Sequence, residues 1–194
     1  MVNVSAAQAT GDYFIHLGQN PFGTGNFFGK VFCKSAAGGM NFGVLRAGGT
    51  GVPVYSPSVF FLNTTHLVVV KFTFVAGGTT NDTADLWVDP DFTSPCPGET
   101  LPLVSSSPTE PGADPAVGLG GIGLRQGTAS SAPTQVVDGI RVGTTWSEVV
   151  CGVAATGACC AADGSCSPQT PAACLAAGGV YRGDFTTCPP SPPC

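Results

Sequence analysis

Apolar and polar positions alternate with a period of two along most of the chain up to about residue 150. In "DYFIHLG", Tyr13, Ile15 and Leu17 fall on one side, and Phe14 and His16 on the other. "GKVFCKS" sets Phe32 opposite Val31 and Cys33, and "MNFGVLR" puts Met40, Phe42 and Val44 together. The clearest run is "HLVVVKFTFV", with Val68, Val70, Phe72 and Phe74 facing one way and Leu67, Val69, Lys71 and Thr73 the other. "ADLWVD" sets Leu86 and Val88 against Asp85, Trp87 and Asp89. After "IGLRQG", the segment "TQVVDGIRVGT" aligns Val136, Asp138, Ile140 and Val142 on a single face. These runs are rich in β-branched and aromatic residues and bounded by Gly, Asn, Asp and Pro, which predicts strands.

Two stretches break the pattern. From Asp89 to Val117 the chain is rich in proline, which cannot donate to a sheet ladder, so a long surface loop is expected there. From about Cys151 the aliphatic bulk disappears and cysteines accumulate. The tail has room for one short helix, with Thr170 as N-cap, Pro171 in the first turn and "AACLAA" ahead of Gly178. Two units are therefore expected: a strand-rich domain over 1–150 and a cysteine-rich tail over 151–194.

Composition narrows the reading further. Charged residues make up only 10%, Gly (28) and Pro (17) are abundant, and the net charge is −5. Few charges and many turn-formers suit short strands and exclude a helical bundle. The seven basic residues are scattered, so a phosphate-neutralising nucleic-acid surface is not expected. The longest apolar run is interrupted by Lys71, short of a membrane span. "MVNVSAAQATGDYF" lacks the basic and apolar regions of a signal peptide, so export would need a signal upstream.

Cys159, Cys160, Cys166, Cys174, Cys188 and Cys194 show no C-x-x-C pair, and the tail holds no histidine. That spacing disfavours zinc knuckles and thioredoxin-like redox pairs and points to a disulfide framework, the usual support of small exported modules. Sequence does not choose among its pairings. Cys96 and Cys151 are candidates for a further bridge, and Cys33, mid-strand, reads as a small buried apolar residue. Nine cysteines leave at least one without an intrachain partner; pairing with another chain is the sharper alternative.

Candidate chemistry is sparse. His16 and His66 lack a nucleophile elbow and read as structural. Asp82, Asp85, Asp89 and Asp91 form a carboxylate cluster that reads as a solvated strand face or, as the sharper alternative, a calcium site, which it suits better than a glycosidase pair. Asp85 and Asp89 would lie ~13 Å apart along a strand, too far for the latter. Trp87 and Trp146 are candidate ligand-facing aromatics that could stack on a sugar. Asn3, Asn63 and Asn81 begin glycosylation sequons.

Taken in order, "GDYFIHLG", "GKVFCKSAAGGMNFGV", "NTTHLVVVKFTF", "NDTADLWVDP", "GIGLRQG" and "VDGIRVGTTWSEV" resemble the LamG-like, concanavalin A-like jelly-roll domains of secreted bacterial surface proteins, over about residues 10–150. The tail is similar to a small cysteine-rich module appended to exported bacterial proteins. The resemblance implies an all-β fold, an antiparallel jelly-roll or β-sandwich, with a small disulfide-rich C-terminal appendage. It also implies a non-catalytic, extracellular or cell-surface role in structure or adhesion, with calcium in some relatives. Such domains carry further strands upstream of the "GDYF" strand, which leaves three expectations open: the sequence is a fragment, the strands present suffice, or another chain completes the edge, as in strand-complemented filaments. Expected partners are other copies of the chain or cell-surface and matrix components, and the alternative function is a carbohydrate-binding module of a secreted protein.

Overall fold

The computed structural model describes residues 1–23, 25–47, 51–91, 98–107, 109–151, 157–182 and 186–188. The fold is all-β, with several antiparallel sheets. Its elements are β1 (Val2–Ala6), β2 (Asp12–Gln19), β3 (Phe27–Ala36), β4 (Gly39–Leu45), β5 (Val54–Tyr55), β6 (Thr65–His66), β7 (Val68–Thr73), β8 (Thr83–Val88), β9 (Val104–Ser105), β10 (Leu119–Leu124) and β11 (Thr134–Val137). A π-helical turn (Ser147–Cys151), β12 (Gly157–Cys160), β13 (Cys166–Gln169), α1 (Pro171–Ala176) and β14 (Val180–Tyr181) follow. The chain divides into two compact units, Met1–Asp91 with Glu99–Ile140, and Phe92–Gly98 with Arg141–Cys194. The division falls between Ile140 and Arg141, before the composition shift at 151.

In the first unit a five-stranded sheet runs β10-β2-β3-β4-β5, accompanied by β11-β1-β6 and β7-β8-β9. β6 and β7 are separated by Leu67 alone, so one extended stretch of chain serves two sheets. All three sheets feed one core: Val2 and Val4 from β1, Phe14, Val31, Cys33, Met40, Phe42 and Val44 from β2–β4, and Ala84 and Leu86 from β8. Val68, Val70, Phe72 and Val88 pack against it, as their period of two requires. Each such side chain fully removed from water is worth about 1.5–3 kcal/mol.

Several expectations need correction. The segment before "GDYF" is itself a strand: Val2 and Val4 are core residues, and β1 pairs with both β11 and β6. The proline-rich stretch is not all loop, since β9 adds to β8 through the pairs Asp85–Ser105 and Leu86–Val104. "TQVVDGIRVGT" is a strand only to Val137. Gly139 adopts φ +63, open to glycine at no steric cost, and its amide donates to the Asp138 carboxylate at 2.7 Å, closing a local turn. Val136 and Ile140 are left facing water, and Phe74 lies past the end of β7 and is exposed.

The faces of β2 also differ from simple alternation. Tyr13 pairs with Phe32, Ile15 with Val31 and Leu17 with Phe28, so one extra residue sits on β2 after Tyr13 and one on β3 after Phe28. These are β-bulges, and each turns the side chains beyond it onto the other face. The second is made at Gly29, whose φ of +48 suits the left-handed corner. Phe14 and Ile15 therefore both contribute to the core, while His16 joins Tyr13 on the opposite face.

A buried ionic lock holds the loops at one end of this unit. Arg46 is 2% exposed; its guanidinium donates to the Asp114 carboxylate and to the carbonyls of Glu110 (3.0 Å) and Gly112 (2.8 Å). Glu110 accepts from the amides of Arg46 (2.8 Å) and Ala47 (2.6 Å), and Asp114 accepts from the amide of Asn81 (2.8 Å). Every buried charge here has hydrogen-bond partners, the condition under which burial is tolerated.

The second unit is built on the sheet β13-β12-β14. Cys159–Cys174 ties β12 to α1, and Cys166–Cys188 ties β13 to the following chain. The Thr170 hydroxyl accepts from the Ala173 amide at 3.1 Å, capping α1 where the sequence placed its start.

Candidate interaction surface

The cysteine framework is a covalent clasp. Besides the two bridges named, Cys151 and Cys160 are disulfide-bonded. Cys96 and Cys194 lie outside the described residues. Cys33 carries a free thiol, fully buried among core side chains, where it donates weakly to the Met40 sulfur at 3.5 Å. Burial pushes this thiol up to about 12, so it is uncharged at neutral pH.

The structure pulls the four carboxylates into separate tasks. Asp82 is buried and accepts from the Val75 amide at 2.7 Å, closing the β7–β8 hairpin. Asp85 sits mid-strand between Lys71 and Ser105 on the flanking strands. Asp89, at φ +50, accepts from the Leu67 amide at 2.8 Å and faces His66 Nδ1 at 2.6 Å, and Asp91 is exposed. Among the described residues no group of three or more His, Cys, Asp or Glu side chains is arranged to hold a metal ion.

Trp87 is not ligand-facing: it is 3% exposed, paired across β7–β8 with the buried Val69. The segment after Gly98 covers it, and its indole N–H donates to the Thr100 carbonyl at 3.1 Å. Lys71, on the same face, binds the Glu99 carboxylate at 2.7 Å. Trp146 is half-buried next to the π-helical turn. His66 has Nδ1 at Asp89 and Nε2 3.2 Å from the Phe61 carbonyl, so both ring nitrogens face oxygen acceptors and neither is aimed at a nucleophile.

Two surfaces stand out instead. The first is the edge of β7, which pairs with β8 alone among the described strands. β1 reaches this stretch of chain only at β6, through the pairs Asn3–Thr65 and Val2–His66. The second is the outer face of the five-stranded sheet. There Tyr13, Phe32 and Tyr55 form a row with ring centroids 5.5 and 6.4 Å apart, and Phe27, His16 and the exposed Phe22 extend it. Lys30 and Arg125 stand 5.2 and 4.3 Å from the Tyr13 centroid, and Lys34 4.0 Å from that of Tyr55. Burial lowers the pKa of His16, against a backbone hydrogen bond to Leu17 that raises it; the nearby Lys30 and Arg125 charges lower it further. Burial likewise lowers that of Lys30, while Glu110 raises it.

Sequence reasoning missed this face because it lies across strands from different parts of the chain. The available signal was the i, i+2, i+4 spacing of Lys30, Phe32 and Lys34 opposite a core-facing Val31 and Cys33. Compared with known proteins, the chain matches no family model, no curated protein and no solved structure.

Proposed function

We propose that this chain is a non-catalytic structural or adhesive protein of the extracellular or cell-surface space, built as a LamG-like jelly-roll sandwich and joined to further copies by strand complementation. The observation that carries the reading is the open edge of β7. Alternate residues of this six-residue strand turn their backbone donors and acceptors away from β8, towards any strand laid beside it, and Val70 and Phe72 already sit against the core. An added strand would receive main-chain hydrogen bonds without any rearrangement of the acceptor, the economy of β-augmentation. The disulfides in the second unit support export, since such bonds persist in oxidising compartments.

The test is the assembly state of the oxidised full chain, by light scattering over a concentration series with negative-stain imaging. Polymers are expected, with slowed hydrogen exchange at the β7 amides that do not face β8. Monomers at every concentration would sink the reading. A second reading, carbohydrate binding, loses Trp87 to the interior but gains the ring row on the outer sheet face.

A further inference from the structure

Asn3, Asn63 and Asn81 each begin the Asn-X-Ser/Thr sequence read by glycan-transferring enzymes, and the fold treats them differently. Asn3 lies in β1, half-buried, and its Nδ2 donates to the Thr65 hydroxyl at 3.2 Å. The Asn81 side-chain amide donates to the Val75 carbonyl (3.2 Å) and to the Asp114 carboxylate (3.1 Å), whose other oxygen accepts from Arg46. A sugar on either nitrogen would cost those bonds and, at Asn81, would crowd the loops around the buried ionic lock. Asn63 is the exception. It is exposed, in the turn that leads into β6, and its side chain has no hydrogen-bond partner among the described residues. Its backbone is fixed nonetheless: the Asn63 amide donates to the Val4 carbonyl at 2.8 Å, and its φ of +58 is a left-handed value that asparagine tolerates.

The neighbouring residues complete the site. Phe60 and Leu62 pack against the core, and Phe61 between them points outward: it is 71% exposed and meets no other ring among the described residues. Phe61, Asn63 and Thr65 thus alternate along "FLNTT", all three exposed. Two residues span at most about 7 Å between Cα atoms, so a sugar on Asn63 Nδ2 begins close to the Phe61 ring. The C–H face of a pyranose packs on such a ring and takes its apolar surface out of water. We propose that Asn63 carries an N-linked glycan whose first sugar lies on Phe61. The donor is a polyprenyl-diphosphate-linked oligosaccharide. Sugar C1 bonds to Asn63 Nδ2 as the C1–O bond breaks; the lipid diphosphate leaves with that electron pair, and the amide nitrogen gives up one proton to a base of the transferase. The inference rests on the extracellular part of the function proposed above, since this transfer accompanies export.

The experiment takes the full chain as its native host exports it. Peptide N-glycosidase in heavy-oxygen water converts a glycosylated asparagine to labelled aspartate, which mass spectrometry reads site by site against a control without enzyme. Asn63 is expected to be labelled, and Asn3 and Asn81 unlabelled. Asn63→Asp, which suits the left-handed turn, and Thr65→Val, which removes the hydroxyl of the sequon but keeps the asparagine, should each abolish the glycan. Thermal melts test the ring. Asn63→Asp should lower Tm by about 2–4 °C relative to the glycosylated chain, the scale of one aromatic contact in a chain of this size. Phe61→Ala should lower it as much in the glycosylated chain and leave it unchanged when combined with Asn63→Asp. An exported chain unlabelled at Asn63, labelling at Asn3 or Asn81 equal to that at Asn63, or a Phe61→Ala effect that is the same with and without the glycan overturns the proposal. Only a chain retained inside the cell would bring down the extracellular reading with it.

Discussion

In the first unit, ten buried side chains from three sheets meet in one core, and the only cysteine among them is a free thiol. In the second, the buried apolar side chains among the described residues are Val150, Ala158, Cys159, Cys160 and Cys174, and two of its ties are the Cys159–Cys174 and Cys166–Cys188 bridges. The first rests on apolar area removed from water; the second limits the freedom of its unfolded chain. Chain length explains the contrast. A segment of ~50 residues buries too small a fraction of its surface to hold itself together by packing alone.

The contrast can be broken from either side. Phe42→Ala empties a fully buried position and should cost the first unit about 3–5 kcal/mol, read from urea unfolding. Arg46→Ala, which leaves Glu110 and Asp114 buried without their cation, should cost a similar ~3–5 kcal/mol. In both variants the reduction-sensitive transition of the second unit should stay in place; a shared shift would mean that the two units unfold as one. Conversely, replacing Cys159 and Cys174 together by serine should cost the second unit about 2–4 kcal/mol, with first-unit amides keeping their hydrogen-exchange protection. Thr170→Ala, which removes the cap of α1, should cost about 1 kcal/mol, and only in the second unit.

The smallest expected effect is pH-dependent and belongs to the first unit. Burial holds the pKa of His16 below its ordinary value, so the unfolded chain takes up this proton first as pH falls. The associated stability is complete above the unfolded pKa near 6.5 and declines as pH falls from there towards the folded pKa. His16→Phe should flatten that decline, measured as Tm between about pH 8 and about pH 5. An unchanged slope would mean that His16 titrates as it does in water.

Much of this architecture could be read from local pattern, and what could not shares a physical cause. Met40, Phe42 and Val44 pointed inward as their spacing required, Cys33 was the buried apolar position it resembled, and Thr170 capped its helix. Each of those outcomes depends on neighbours in sequence. The bulges after Tyr13 and Phe28 depend on how two strands are registered, and they moved His16 to the outer face. Trp87 was hidden from within the proline-rich stretch, where the Thr100 carbonyl takes its indole N–H, and Glu110 and Asp114 are brought to Arg46 from far along the chain. The interaction surfaces belong to this second kind. An open edge or a row of rings across β2, β3 and β5 is defined only once strands are placed side by side.

The sealed position of Cys33 bears on how the clasp acquires its bridges. Disulfides form and rearrange through attack by a thiolate, and an unfolded chain offers nine candidate nucleophiles to that exchange. Once the first unit has closed, one of them is shut away from oxidants and held in its protonated form. The remaining thiols then exchange as an even-numbered set. Packing in one part of the molecule thereby sets the stoichiometry of oxidation in another, and a variant that opened this core would release a competitor for every bridge still to be made.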